Sequence, residues 1–373
     1  MNGERLQAAR RIVLKIGSAL LVDDATGAVR RKWLRAFSSE IAYLRQRGQD
    51  ITIVSSGAIA FGRQELGLTS STLALEEKQA AAAVGQIRMA HAWQEALTTH
   101  GLRLAQILLS LADTEERRRH LNARETLTTL YRFGVVPLIN ENDTVATEEI
   151  RFGDNDRLAA RVAQMVSADL LILLSDIDGL YDKDPVLHPD ARHISQVEVL
   201  TDDVRAMAGK PRRDYSSGGM VTKIEAARIA VGAGCAMIIS DGRAESPVRR
   251  LEGGERCTWF EPAASPRTAR KRWIASALDR DAVVMVDAGA ARALLRGKSL
   301  LPAGVTAVRG QFKRGDAVRI CDSGETQLAI GLIAYDADAA RVIAGRQSQE
   351  IAKLLGYKGR DVLIHRDDMV VGA

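Results

Sequence analysis

Short apolar runs, each ending in small or polar residues, dominate the first two thirds of the chain and predict the strands of a buried sheet. They lie at Ile12–Ile16, Ile51–Val54, Leu104–Ser110, Val135–Ile139 and Leu170–Leu174. Runs that are apolar on both faces are typical of strands in parallel sheets. A further run, Ala236–Ser240, is predicted to be the last strand of this part.

Segments with helical spacing of apolar residues separate these runs. The predicted helices are residues 34–47, 76–99, 113–132, 158–166 and 224–231. Strands that alternate with helices in this way predict an α/β domain with a mainly parallel sheet.

The pattern changes after residue 262. Residues 263–276, which follow Pro262 and contain Pro266 and a basic cluster, are predicted to be an interdomain linker. Short β-rich pieces then alternate with glycine-bearing turns and one helix near residues 288–296, at Ala282–Val286, Gly304–Val308, Ala317–Cys321 and Leu328–Ile333. We therefore predict an α/β domain over residues 1–262 and a small β-barrel-like domain over residues 277–373.

Length and composition agree with two globular domains. A chain of 373 residues exceeds one ordinary core. Its contents of 46% apolar and 27% charged residues are those of a soluble protein. No apolar run approaches the roughly 18 residues that span a bilayer, and no signal-peptide pattern opens the chain. Three scattered cysteines without a CxxC pair predict a reducing cytoplasm and no zinc site.

The net charge of +5 is too modest to indicate a nucleic-acid partner. From residue 277 onward, 14 Lys and Arg face 12 Asp and Glu. The basic cluster at residues 267–272 could contact RNA, but a solvated linker is the favoured interpretation. RNA binding is therefore not expected.

An acid-and-amide loop follows the fourth predicted strand, from Asn140 to Asp156 (NENDTVATEEIRFGDND). A charged surface loop is the simpler interpretation. However, the loop begins where a strand of an open α/β sheet ends, which is where such folds bind ligands. An ammonium group of an amino acid, or a magnesium ion, would suit it.

Two lysines and one serine turn are candidates for binding phosphate. Lys15 lies at the end of the first strand, before Gly17, although a lone lysine there could also extend to the surface. Ser55 and Ser56 lead from a strand into a helix, where free N–H groups can bind an anion. Lys223 lies in a first helical turn, where a cation is disfavoured unless it meets phosphate; a surface turn is the alternative.

Together these features predict a phosphotransferase with a small acidic acceptor, because such enzymes mainly position groups and neutralise charge. Neither a His–carboxylate–Ser arrangement nor a GxGxxG between strand and helix is present, so hydrolase and dehydrogenase interpretations are weak.

Eight motifs, in order along nearly the whole chain, resemble the glutamate 5-kinase branch of the amino acid kinase family with a C-terminal PUA domain. They are Val13–Ser18, Val54–Ile59, Leu121–Arg124, Ile139–Asp143, Phe152–Asp156, Ser175–Tyr181, Gly218–Lys223 and His365–Asp368. The resemblance implies a three-layer sandwich and ATP-dependent phosphorylation of the γ-carboxylate of L-glutamate, the first step of proline biosynthesis. It also implies Mg²⁺.

The resemblance also implies roles for residues. Lys15 and Lys223 would stabilise the transferred phosphoryl group, and Asp156, with Asp154 as the alternative, would orient them. The glutamate-binding residues would be Ser56, Asp143 and Asn155. The ATP site would comprise Lys15, Ser175, Asp176, Ser217, Gly218, Gly219, Met220, Val221, Thr222 and Lys223. Proline would inhibit near the glutamate site, with Leu121–Arg124 nearby.

Partners implied by the resemblance are a second copy of the chain in a homo-oligomer and glutamate-5-phosphate reductase. One departure from the family pattern is Ser216-Ser217, where Gly-Thr is usual, which stiffens that loop slightly. The alternatives are a kinase for aspartate or acetylglutamate and, from another class, an RNA-binding protein. The C-terminal domain could also serve only structure or oligomerisation.

Overall fold

The computed structural model describes residues 2–23, 26–70, 73–145, 155–209, 219–276 and 278–372, with backbone only for 275–276 and 278–280. The chain divides into two compact units, Met1–Pro266 and Arg267–Ala373. The predicted domain boundaries at residues 262 and 277 lie near this division and stay a prediction. No helix within the described ranges combines the length and apolar character that a membrane crossing requires.

The first unit alternates strands with helices. Its described strands β1 to β10 are Arg11–Ile16, Asp50–Ser55, Arg103–Leu109, Val135–Glu141, Leu170–Ser175, Leu180–Tyr181, His193–Ile194, Gln196–Val197, Ala236–Asp241 and Cys257–Phe260. Its described helices α1 to α11 are Asn2–Ala8, Ser18–Leu21, Arg31–Gln46, Ala58–Glu65, Leu75–Thr98, Leu111–Glu115, Arg117–Arg132, Asn155–Val166, Asp202–Ala206, Met220–Gly232 and Pro247–Glu252. The sequence-predicted strands are all confirmed.

Eight of these strands form one twisted sheet in the order β3-β4-β2-β1-β5-β9-β10-β8. Neighbours run parallel except β9 and β10, which are antiparallel. The chain leaves β1 toward β2 on one side and later places β5 on the other side. Strand order therefore reverses between β1 and β5, and the crevice at their carboxyl ends is the expected ligand site of an open α/β sheet.

Helices cover both faces of the sheet, so the predicted three-layer arrangement is confirmed. Alternate residues of β1 face opposite ways: Leu14 packs in a core with side chains of α3 and α5, such as Phe37 and Trp93. Val13 packs in a second core with side chains of α8 and α10, such as Ala163 and Ala227. Burial on both faces explains why these strands are almost continuously apolar.

Helices α4 and α5 approach each other through glycines. A Cβ atom on Gly62 would lie 1.7 Å from the carbonyl oxygen of Ala81, and one on Gly85 would lie 1.7 Å from that of Ala58. Neither position tolerates any side chain without moving a helix backbone. This contact fixes α4, the helix that follows the Ser55-Ser56 turn.

Two sequence-based expectations need correction, and α1 is an element that the sequence analysis did not predict. Leu6 in α1 is fully buried, and its carbonyl accepts from the Gln49 amide at 2.8 Å. The segment 113–132 does not lie in one helix: Glu116 has extended backbone angles (φ −70°, ψ 118°) between α6 and α7. Finally, β9 is not the last strand, because the fully buried run Cys257–Phe260 forms β10.

The second unit is β-rich, as predicted. Its described strands β11 to β15 are Leu278–Val286, Val305–Arg309, Ala317–Cys321, Gln327–Leu332 and Met369–Val371, in the sheet order β12-β11-β13-β14-β15. Its described helices α12 to α15 are Pro266–Ser276, Ala288–Leu295, Ala337–Ile343 and Ile351–Leu355. The segment predicted as a linker, residues 263–276, thus contains helix α12. A largely buried Arg270–Asp368 ion pair of 2.6 Å connects α12 with the residue before β15.

We expect Gly85→Ala to lower the free energy of unfolding by about 3 kcal/mol and the unfolding midpoint by roughly 6 °C or more, because α4 and α5 must separate. Thermal unfolding followed by circular dichroism measures this. Gly232→Ala is the matched control: a Cβ atom there meets nothing within 4 Å. An equal midpoint in both variants would show that the helix contact is not required.

Candidate active site

Two lysines from distant parts of the chain contact one buried carboxylate. The ammonium nitrogen of Lys15 lies 2.6 Å from Oδ1 of Asp156, and that of Lys223 lies 3.1 Å from Oδ2. Lys15 comes from β1, Asp156 from the first turn of α8 and Lys223 from the first turn of α10. Residues separated by 67 positions or more thus meet at the carboxyl end of β1.

Lys15 does not extend to the surface, so that interpretation of the sequence is wrong. Its side chain is only 8% exposed. Strands β2 and β5 pair with β1 on either side, with Lys15 opposite Val54 and Leu173. The backbone therefore holds the start of this side chain rigidly, on the sheet face that carries α8 and α10.

Lys223 is likewise buried in a helix and not part of a flexible surface turn, with a side chain 4% exposed. The preceding residue, Thr222, has its hydroxyl oxygen 3.0 Å from Oδ2 of Asp156 and 2.8 Å from the carbonyl oxygen of Gly219. Two side chains from the first turn of α10, those of Thr222 and Lys223, therefore contact Oδ2 of Asp156. Sequence reasoning assigned Thr222 to ATP and missed this contact.

Electrostatics keep Asp156 ionised. Burial acts to raise the pKa of this carboxyl, but Lys15 and Lys223, by charge and by hydrogen bonding, hold the pKa below its usual value. An ionised carboxylate with two charged partners has one fixed orientation, since each oxygen faces a different lysine. The site therefore presents both ammonium groups at set positions.

Ser56 directly follows β2, the strand that pairs with the Lys15 strand β1. Its hydroxyl oxygen accepts a hydrogen bond of 2.8 Å from the side-chain amide of Asn155, and its backbone N–H donates to Ile16 at 3.1 Å. The hydroxyl hydrogen of Ser56 is then available to a bound anion. Gly57 follows with φ +111°, a conformation that side chains rarely adopt, and this turns the chain into α4.

Asp143 lies in a short 3-10 helix, Asp143–Val145, directly after β4. Burial and the neighbouring Glu141 raise the pKa of its carboxyl to about 7. A cation bound against Asp143 would favour the ionised form. The carboxyl is thus suited to a ligand with an ammonium group, which the acid-and-amide loop also suggested.

The other predicted ATP residues lie at two places. Ser175 and Asp176 follow β5, where the Ser175 hydroxyl donates to Asp176 at 3.0 Å and the Ser175 carbonyl accepts from Gly242 at 2.7 Å. Gly219 precedes α10, whose first residues are Met220 and Val221. Asp154, Ser217 and Gly218, and the Ser216-Ser217 departure, lie outside the described residues.

Within the described ranges, no three His, Cys, Asp or Glu side chains come together as a metal site. Asp156, the best placed carboxylate, has both oxygens in contact with lysines. The described residues therefore form no cluster of three such side chains that would hold a magnesium ion without a substrate.

Comparison of the sequence with known proteins identifies the family of this chain. The sequence profile of the amino acid kinase family matches residues 10–241, and that of the PUA domain matches residues 282–355. The chain belongs to the amino acid kinase family. As a member of this family it is a kinase, and its second unit carries a PUA domain.

Members of the amino acid kinase family with curated names are similar over nearly the whole chain. A protein of Paramagnetospirillum magneticum named glutamate 5-kinase is 59% identical over 98% of this chain and 99% of its own length. Glutamate 5-kinase 1 of Rhizobium meliloti is 56% identical over 99% and 93% respectively. The glutamate 5-kinase of Rhodospirillum rubrum is 57% identical over 96% of each.

We expect Asp156→Asn to lower the free energy of unfolding by about 3 kcal/mol near pH 7, because two buried ammonium groups lose their charged partner. The pKa of Asp156 is depressed by folding, so its stabilisation is present above the ordinary pKa of about 4 and lost as pH falls below it. The difference between the two proteins should therefore be largest above about pH 4.

Urea unfolding at several pH values measures this difference. Asp190→Asn is the control, because Asp190 is 75% exposed and pairs only at the surface with Lys183. The interpretation of Asp156 fails if both variants unfold at the same urea concentration as the unsubstituted protein.

Proposed function

We propose that this kinase transfers the γ-phosphoryl group of ATP to the γ-carboxylate of L-glutamate, giving L-glutamate 5-phosphate and ADP. The observation that carries the proposal is the contact of Lys15 and Lys223 with buried Asp156. Near-full-length similarity to proteins named glutamate 5-kinase supports the choice of acceptor.

The proposed chemistry uses charge stabilisation and no general base. An oxygen of the glutamate γ-carboxylate attacks the γ-phosphorus of ATP, and the bond from that phosphorus to the β–γ bridging oxygen breaks. Negative charge develops on the transferred group and the leaving oxygen. Lys15 and Lys223 neutralise it, while Asp156 holds both ammonium groups in place; Asp154 stays the alternative for that role.

Glutamate would be held by the residues around the end of β2. The Ser56 hydroxyl, which accepts from Asn155, has its hydrogen free for a carboxylate oxygen. The Asp143 carboxyl, with a pKa of about 7, would take the α-ammonium group. This argues for a free amino acid and against acetylglutamate, because acetylation removes the positive charge that Asp143 would bind.

ATP would bind beside β5, against Ser175 and Asp176 and against residues 217–223, with Lys15 reaching its phosphates. Mg²⁺ usually keeps several waters and binds through substrate phosphates. Because the described residues offer no cage of their own, we propose that Mg²⁺ enters with the nucleotide, where it would neutralise phosphate charge.

The biological setting is proposed on the same basis. Glutamate phosphorylation would be the first step of proline biosynthesis, and glutamate-5-phosphate reductase would use the product. Proline carries a cationic nitrogen and a carboxylate, so it could compete for the site at Asp143. Three buried cysteines without a disulfide agree with a reducing cytoplasm. Homo-oligomerisation stays a proposal.

We expect ATP turnover to require L-glutamate and to yield an acyl phosphate that hydroxylamine traps as a hydroxamate. The assay compares L-glutamate, L-aspartate and N-acetyl-L-glutamate, each with and without proline. Proline should raise the apparent KM for glutamate. Faster hydroxamate formation with aspartate or acetylglutamate would overturn the proposed acceptor.

We expect Lys223→Ala to lower kcat by about 100-fold or more while the KM for glutamate changes little, since the ammonium group acts mainly in the transition state. Lys32→Ala is the control, because that side chain is 86% exposed. Steady-state kinetics with both substrates varied measures the effect. A raised KM with unchanged kcat would contradict this role of Lys223.

A further inference from the structure

We propose that Trp93 and Ser55 are positioning residues of the active site, which hold Ser56 in place from the side of the sheet opposite to Asn155. The inference deepens the proposed function, in which Ser56 binds the acceptor. Neither residue faces the phosphoryl site, so both act through the turn at the end of β2.

The relay consists of two consecutive hydrogen bonds. The indole N–H of Trp93, in α5, donates to the hydroxyl oxygen of Ser55 at 3.1 Å. The Ser55 hydroxyl lies 3.3 Å from the backbone carbonyl oxygen of Ser56 and donates to it. Trp93 is 1% exposed and Ser55 is 0% exposed, so the Trp93–Ser55 bond is shielded from water, while the Ser55–Ser56 bond is partly buried.

The donor and acceptor roles in this relay are fixed by chemistry. An indole nitrogen can only donate, so the Ser55 hydroxyl must accept from Trp93. Its single hydrogen then points to the carbonyl of Ser56. The orientation of the Ser55 hydroxyl is therefore set by Trp93, and the position of the Ser56 peptide is set by Ser55.

The hydroxyl of Ser55 satisfies the buried indole N–H of Trp93 and also contacts the turn that carries Ser56. Ser55 lies on the same face of β2 as Ile53, toward the core that also contains Trp93 and Phe37. An apolar residue would fill this position but would remove the acceptor of the buried Trp93 N–H, and a buried polar group without a hydrogen bond is unfavourable. The hydroxyl gains its second partner in the turn that carries Ser56.

Ser56 is thereby held from three directions. Trp93 acts from the α5 side through Ser55, and Asn155, in α8, acts from the other side of the sheet at 2.8 Å. The backbone N–H of Ser56 continues the ladder to Ile16 at 3.1 Å. Loss of the relay would leave the Ser56 hydroxyl less fixed where the acceptor carboxylate arrives.

The test compares Trp93, whose indole N–H donates to Ser55, with Trp33, whose indole N–H does not. Trp33 belongs to the same aromatic cluster, stacked on Phe37, but its indole N–H donates to the carbonyls of Gly242 and Ala244 at 2.7 and 3.0 Å. Trp93→Phe should raise the KM for glutamate roughly three- to tenfold, the effect of one hydrogen bond, with kcat within about twofold. Trp33→Phe should leave that KM unchanged.

Ser55→Ala removes fewer atoms than Trp93→Phe. The two single variants and the double variant together form a double-mutant cycle. If one relay connects the two residues, Trp93→Phe adds little to the KM of Ser55→Ala. Three outcomes would overturn the proposal. The two substitutions could multiply their effects on the KM for glutamate, each could leave that KM within twofold of the unsubstituted protein, or Trp33→Phe could raise it equally.

Amide hydrogen exchange of the segment 54–60 tests the relay without any substrate. It should be at least roughly threefold faster in Trp93→Phe than in Trp33→Phe. Equal exchange would overturn the relay itself. Absence of glutamate phosphorylation in the unsubstituted protein would instead overturn the proposed function and leave this exchange result valid.

Discussion

The arrangement of the site depends on one buried carboxylate that contacts two buried ammonium groups. Asp156 is 1% exposed, and Lys15 and Lys223 lie at 2.6 and 3.1 Å from its two oxygens. Removing three charged groups from water is unfavourable, and their mutual attraction offsets this only when the geometry is good. Such a cluster is weak evidence for a stabilising role and stronger evidence for a chemical one.

The parallel sheet makes this geometry possible. Strand β1 lies between β2 and β5, so Lys15 starts from one of the most constrained positions in the unit. Helices α8 and α10 pack on one face, and each begins at the carboxyl edge of the sheet, where their first turns bring Asp156 and Lys223 to Lys15. The same edge carries Ser56 after β2 and Asp143 after β4, so the residues proposed to bind the acceptor lie on the edge that carries the two lysines.

The opposite face of the sheet carries a core that contains three aromatic side chains. Its core contains Trp33, Phe37 and Trp93, with Phe37 stacked on Trp33 at 4.8 Å between ring centroids. The glycine contact between α4 and α5 fixes the helix that leaves the Ser56 turn. Trp93 of this layer contacts, through Ser55, the turn whose Ser56 hydroxyl accepts from Asn155. The aromatic core on one face of the sheet is thus connected by hydrogen bonds to Ser56, which Asn155 contacts from the other face.

The sequence by itself determined most strands of the large sheet, the class of fold, and Lys15, Lys223 and the Ser55-Ser56 turn as candidates for binding phosphate. Continuous apolar runs are typical of strands that are buried on both faces in a parallel sheet. A lysine before a glycine turn, or in the first turn of a helix, is unusual and therefore indicates a candidate site residue. Short or weakly patterned pieces escaped it: α1 and the four-residue β10 are defined by burial against other elements.

Only the tertiary structure decided that Lys15 is buried, that both lysines share Asp156, that Thr222 contacts this carboxylate, and that Trp93 donates to Ser55. These contacts join residues far apart in the chain, so they depend on strand order and helix packing, which no local pattern records.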